Sequence, residues 1–171
     1  WVADVLQASG WLQTKVAAPL WIWGLRAGCL LAAEAASKLD KPSSLLLWQP
    51  TAAGKTVLQQ FLRLKAAGEL LSGAAKGSVE AMRGKLADGE TIEVAGYRIT
   101  PALACGLEQA VLKPCTGIER VQWLELSTRD DPTLPTAALR AVEQWQAAGC
   151  ETSAQRVCGP AFWQTTEIED A

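Results

Sequence analysis

The sequence predicts an α/β fold built on a parallel sheet flanked by helices, and three observations lead there. Short, largely apolar runs recur at residues 20–23, 44–48 and 121–126, each too brief for a helix and each set off by Gly, Pro or a charged break. Between them lie longer segments whose apolar residues repeat at helical spacing. Strands alternating with helices imply right-handed crossovers and a parallel sheet covered on both faces. With 171 residues, 49% of them hydrophobic, the chain can close one core without metal or disulfide staples, so residues 1–171 are expected to form a single domain.

Taken in order, Trp1, Val5, Ala8 and Leu12 fall on one helical face, which Thr14 and Lys15 end. Leu20-Trp21-Ile22-Trp23 is a buried strand, residues 24–28 a glycine-bearing turn, and residues 29–36 an alanine-rich helix that a neighbouring layer must cover. Residues 44–48 form a second strand between Pro42 and Pro50. A helix over residues 56–71 follows, carrying Val57, Leu58, Phe61, Leu62 and Leu64, with Gly68, Gly73 and Gly77 loosening its end. Residues 79–96 show no strong period, whereas Thr100-Pro101 is an N-cap with proline at the first helical position. Residues 52–115 therefore read as an insertion, mostly helical, sitting as a cap over the sheet's C-terminal edge. Residues 121–126 are another strand, and residues 136–148 a helix with Leu139, Val142 and Trp145 inward and Gly149 at C′. Residues 152–157 make the last strand. Trp21, Trp23, Trp123 and Trp145 are expected in the core.

Composition excludes several functions. Sixteen basic against eighteen acidic residues leave a net charge of −2, with no basic stripe for a phosphate backbone, so nucleic acid is not an expected partner. Five cysteines without a CxxC pair, and no histidine, predict free thiols in a reducing cytoplasm, no metal site and no cofactor. The apolar stretch 16–33 contains Pro19, Gly24, Gly28 and a central Arg26, whose charge at mid-membrane would cost about 2.5–3.5 kcal/mol; no membrane span is expected. The chain opens without an initiator Met, in what looks like the middle of a helix, and reads as a fragment lacking upstream elements.

Two motifs could carry chemistry. Gly24-Leu25-Arg26-Ala27-Gly28 has the G-x-S-x-G spacing of a nucleophile elbow, after a strand and before a helix, with Arg26 in the serine's place. The turn is so tight that side chains at either glycine should collide with the strand or helix beside them, and its central residue should take a strained positive φ. A guanidinium is no nucleophile; together with the helix N-terminal amides of Ala27 and Gly28, Arg26 would instead form an anion pocket. The same spacing also suits an ordinary strand-to-helix turn. Gln49-Pro50-Thr51-Ala52-Ala53-Gly54-Lys55-Thr56 is a near miss to a phosphate-binding loop, lacking the first glycine and losing one amide to Pro50.

The order of the elbow, Leu46-Leu47-Trp48-Gln49-Pro50, Gln59-Gln60-Phe61-Leu62-Arg63, Glu93-Val94-Ala95-Gly96-Tyr97 and Gly159-Pro160-Ala161-Phe162-Trp163 resembles the exosortase A system-associated hydrolase family, second type, across nearly the whole chain. The resemblance implies the C-terminal two-thirds of an α/β-hydrolase fold, found with bacterial exopolysaccharide and PEP-CTERM protein-sorting loci. By position it implies the catalytic acid at Asp130, beside Asp131, and the base near residues 159–163, where this chain has no histidine. Two of three triad roles are thus empty. The function expected is a non-catalytic or atypical hydrolase binding a small acyl or anionic ligand, or a protein of the export locus. The alternatives are an active esterase or thioesterase using a non-serine arrangement, and a nucleotide binder at Lys55.

Overall fold

The structure, a computed structural model, describes residues 1–71 and 78–164. It divides into two compact units, one formed by Trp1–Pro50 with Lys113–Ala171 and the other by Thr51–Leu112. The second unit nearly coincides with the expected insertion over residues 52–115. Among the described residues no helix is long and apolar enough to cross a membrane.

The first unit is a mixed α/β arrangement. Its strands β1 (Leu20–Leu25), β2 (Ser43–Trp48), β5 (Ile118–Ser127) and β6 (Glu151–Cys158) form one parallel sheet in the order β1-β2-β5-β6. Its helices are α1 (Val2–Lys15), α2 (Gly28–Ala36) and α6 (Thr136–Ala147). Each strand outruns its expected bounds because ladder bonds to a neighbour continue past the apolar run; β1 carries on through Gly24 and Leu25, leaving only Arg26 and Ala27 in the turn. The core holds Leu45, Leu47, Val121, Trp123 and Trp145, all at or below 4% exposure. Burying such side chains contributes about 1.5–3 kcal/mol each.

Strand order and register place the helices of this unit on one face. Gly24, Leu47, Trp123 and Ala154 form one row across the sheet, and Gly24 lies directly under Cys29 of α2. The adjacent row, Trp23, Leu46, Gln122 and Ser153, faces the other way. Right-handed crossovers that advance always in one direction along a sheet keep their helices on the same side, so the described residues of this unit do not supply the expected two-sided cover. That corrects the reading of Trp21 and Trp23: they share one strand face as expected, but are 46% and 58% exposed.

Two helix faces also differ from their periodicity. In α1 the buried residue is Ser9, flanked by half-buried Val2, Val5, Leu6 and Gln13, whereas Trp1 and Leu12 are exposed. The face is turned by about one residue, roughly 100°, because α1 packs on the alanine-rich α2, where a small side chain permits close approach. In α6, Ala138, Val142 and Trp145 point inward and Leu139 is exposed. Gly149 follows at φ 87°, the left-handed C′ residue that ends the helix.

The second unit packs α3 (Gly54–Leu71), α4 (Val79–Ala87) and α5 (Pro101–Gln109) with a hairpin of β3 (Ile92–Val94) and β4 (Tyr97–Ile99). Leu58, Leu62, Met82, Leu86, Ile92 and Ile99 are its core. Residues 79–96, which lack a clear period, thus contain a helix and the first strand and turn of a hairpin. The hairpin turns on Ala95 and Gly96, at φ 48° and 81°, the paired positive values of a two-residue primed turn. Thr100 caps α5 as expected, its Oγ1 accepting from the Leu103 amide at 3.2 Å. Gly73 and Gly77 lie outside the described residues.

Candidate functional site

The turn from β1 to α2 has the geometry that its glycines predict, with one correction. Arg26 stands at φ 52°, in the left-handed region that costs a non-glycine residue about 1–3 kcal/mol. A Cβ on Gly24 would come within 2.5 Å of Cys29 Cα and 2.7 Å of Cys29 N, so the strand and the start of α2 meet backbone to backbone. Gly28 is not needed for space: a Cβ there would meet nothing within 4 Å. The turn is closed by the Arg26 amide donating to Trp48 O at 2.9 Å, Cys29 N–H to Arg26 O at 3.1 Å and Leu30 N–H to Ala27 O at 3.1 Å. None of these bonds uses the amides of Ala27 or Gly28.

A second left-handed residue follows the neighbouring strand. Gln49 sits at φ 46°, just past β2, with its amide donating to Leu124 O at 2.7 Å and its side-chain Oε1 accepting from the Leu126 amide at 2.6 Å. Gly159, just past β6, donates in the same manner to Ser127 O at 2.9 Å. These three residues past the strand ends frame a depression of about 330 Å³ at the C-terminal edge of the sheet, where open parallel sheets place ligands. Arg26, Gln49, Ser127, Thr128 and Trp163 line it, and Leu126 and Ala161 add apolar wall. The Arg26 guanidinium lies over the Trp163 ring, 5.4 Å from its centroid. Trp163 in turn meets Phe162 edge-on at 5.1 Å, and Phe162 meets Trp48 at 5.5 Å.

Beneath this edge, on the helix-covered face, runs a polar network. Glu125 is 8% exposed and accepts from Trp123 Nε1 at 2.9 Å. Burial raises its carboxyl above the ordinary value, opposed by the bond from Trp123, the charge of Arg156 and the side chain of Gln49. Arg156 is the direct cross-strand neighbour of Glu125. Its guanidinium donates to Ser127 Oγ at 2.6 Å, to Asp131 Oδ2 at 3.1 Å and to Thr133 O at 2.9 Å, which ties the loop after β5 to β6. Cys29 is fully buried under the elbow, its Sγ donating to Gly24 O at 3.1 Å, and burial pushes its thiol up to about 12. A thiol so placed is neither accessible nor ionised at neutral pH, which leaves it a core residue.

Of the residues singled out from sequence, Arg26 lines the depression, and Ala27 and Gly28 stand at the start of α2 beside it. Asp130 is exposed in the loop after β5 and does not line the depression. Its neighbour Asp131 is the engaged acid: the Thr133 amide, at 2.9 Å, and Arg156 hold its carboxyl below the usual range. The stretch expected to carry a base brings Trp163 to the Arg26 guanidinium instead. Among the described residues no three His, Cys, Asp or Glu side chains converge as a metal-binding group.

The near miss to a phosphate loop has its own packing explanation. A Cβ on Gly54 would fall on the carbonyl oxygen of Leu107, so this glycine lets α3 approach α5 within the second unit. The Gly54 amide donates to Ala110 O and the Thr56 amide to Ala53 O, and Lys55 is exposed. Those amides are occupied and do not form a nest for phosphate.

Sequence reasoning missed Gln49, Ser127, Glu125, Arg156 and Trp163 as site residues. The one available signal was Glu125, a charged residue inside an otherwise apolar strand pattern, since buried carboxylates require partners. No family model, curated protein or solved structure matches the chain.

Proposed function

We propose that this chain is an α/β-hydrolase-like protein, serving bacterial exopolysaccharide and PEP-CTERM sorting in the cytoplasm, that binds an acyl or other anionic ligand at Arg26 without hydrolysing it. The observation that carries the reading is the depression itself: among the described residues its lining includes one cation, Arg26, and no general base. Acyl transfer by a hydroxyl needs a positioned base, whose help typically contributes 10²–10⁴-fold. Ser127 and Thr128 offer hydroxyls, but Ser127 Oγ lies against the guanidinium of Arg156, not against a proton acceptor. Arg26, by contrast, makes no ion pair with any described carboxylate and is held by strained backbone and by an aromatic ring, the arrangement of a side chain kept for a ligand. The resemblance to the exosortase-associated family supplies the cellular setting. An export-locus protein presenting a carboxylate would use the same contacts.

The reading is tested by calorimetric titration of the chain with octanoate and octanol, alongside turnover of p-nitrophenyl butyrate. It expects octanoate binding that Arg26→Gln abolishes, weaker or no octanol binding, and no turnover above buffer. Ester turnover that vanishes on substituting a residue of the depression would establish the alternative, an esterase working without serine in the elbow.

A further inference from the structure

Resting on that reading, we infer that Arg156 is the positioning residue of the depression: it holds the wall formed by Ser127 and Thr128 from behind, through the chain that follows β5, and so sets how tightly the anion is bound without touching it. Ser127 and Thr128 line the depression, and Arg156 does not. Up to Ser127 the chain is fixed by the ladder to β6, which ends at the pair Ser127–Cys158, and by the Gly159 amide donating to Ser127 O. Beyond that point the support changes. Among the described residues no backbone–backbone hydrogen bond involves residues 128–134. Two bonds made there span two residues each, Arg129 N–H to Ser127 Oγ at 3.0 Å and Thr133 N–H to Asp131 Oδ1 at 2.9 Å. They shape local turns and do not bind the far end of the loop to the sheet.

The Arg156 guanidinium does. From β6 it reaches three acceptors, Ser127 Oγ from Nη2 at 2.6 Å, and Asp131 Oδ2 and Thr133 O from Nη1 at 3.1 and 2.9 Å. These stand at the start, the middle and the end of the stretch, so one side chain spans it. A planar fork of five donors can serve several acceptors at once, a spread that the compact ammonium of lysine does not reproduce. Glu125, the direct cross-strand neighbour of Arg156, accepts from Trp123 Nε1, which leaves the fork to the loop. Once the fork is lost, the wall has to be ordered when the ligand arrives, and that ordering is subtracted from affinity.

The test is calorimetric titration of octanoate into the whole chain and into Arg156→Lys, Asp131→Ala and the double variant. Arg156→Lys keeps the charge and loses the fork. Asp131→Ala releases the loop from the other end; its side chain is half exposed, so the fold survives this change even if it does not survive the first. Each variant should weaken octanoate about 5-fold or more, as for two side chains left to be ordered on binding. The double variant should be no weaker than Arg156→Lys alone, because both changes break one clamp. Hydrogen exchange over residues 128–134 should quicken in Arg156→Lys, and in wild type it should slow when octanoate is added. The sign at Asp131 separates positioning from charge: removing an acid near an anion site tightens binding if charge alone matters, whereas loss of the clamp weakens it. Octanoate binding in Asp131→Ala as tight as wild type or tighter, wild-type affinity in Arg156→Lys, or losses that simply add in the double variant would each overturn the clamp and leave anion binding at Arg26 standing. Wild type that does not bind octanoate would overturn both readings.

Discussion

Gly24→Ala is the substitution whose consequence follows most directly from the elbow. Its new Cβ would lie 2.5 Å from Cys29 Cα, 2.7 Å from Cys29 N and 2.8 Å from Gly28 C. Ordinary contact begins nearly 1 Å farther out, and the obstructing atoms are backbone of the helix start, which cannot rotate aside as a side-chain tip can. Either α2 moves bodily from β1 or the strand twists, and overpacking of this kind costs about 1–3 kcal/mol. Gly28→Ala is the matched control: its Cβ meets nothing within 4 Å, and at the first residue of α2 alanine should be neutral or stabilising by about 0.4–1 kcal/mol. With a urea slope of about 2 kcal/mol per molar, Gly24→Ala should lower the unfolding midpoint by roughly 0.5–1.5 M, while Gly28→Ala leaves it level or higher. Far-UV circular dichroism in urea measures both. Equal midpoints for the two variants would refute the close strand–helix contact, and with it the elbow geometry that fixes Arg26.

Two further outcomes rest on titratable groups. Glu125 has its folded-state value raised by burial above the ordinary 4.5, so its contribution to stability is present below 4.5 and is lost as pH climbs through the raised value. Glu125→Gln, which keeps an acceptor for Trp123 Nε1, should therefore gain on wild type as pH rises above 4.5 through the raised value; urea midpoints showing a gap that narrows with pH would contradict this. Cys29, at about 12, has a thiolate fraction of about one in ten thousand at pH 8 and no exposed surface, whereas Cys105 and Cys158 are exposed. Iodoacetamide at pH 8 should label Cys105 and Cys158 and spare Cys29 in the folded chain, and mass spectrometry finding Cys29 labelled as fast as Cys105 would count against its burial.

How much could be read in advance depended on whether a signal was local. The apolar runs at Leu45, Leu47 and Val121 marked the strands, Thr100-Pro101 marked a helix start, and Gly24 marked the tight strand-to-helix turn at Arg26, because each is set by the residue's own backbone or by burial of its own side chain. The exposure of Trp21, Trp23 and Leu139 was not legible, since which face is covered follows from strand order and crossover direction, not from residue type. The hairpin at Ala95-Gly96 was missed because strands of three residues give no period to read. The site was legible only at Arg26. Ser127, Arg156 and Trp163 belong to segments far apart in sequence that meet at strand ends, and the only local trace of their network was Glu125 within an apolar strand.

The most direct test of the central claim, that this elbow binds and does not hydrolyse, is Arg26→Ser measured for both ester turnover and anion binding. The substitution restores the serine of the motif, but no described residue lining the depression can take its proton, and the chain contains no histidine. It also removes the cation that lines the depression, and with it a charge-assisted bond of about 1.5–3 kcal/mol, a weakening of roughly 10- to 150-fold. For Arg26→Ser, p-nitrophenyl butyrate turnover should be no faster than buffer and octanoate binding should be weakened by that factor. Rapid turnover by the variant together with unchanged octanoate binding would contradict it.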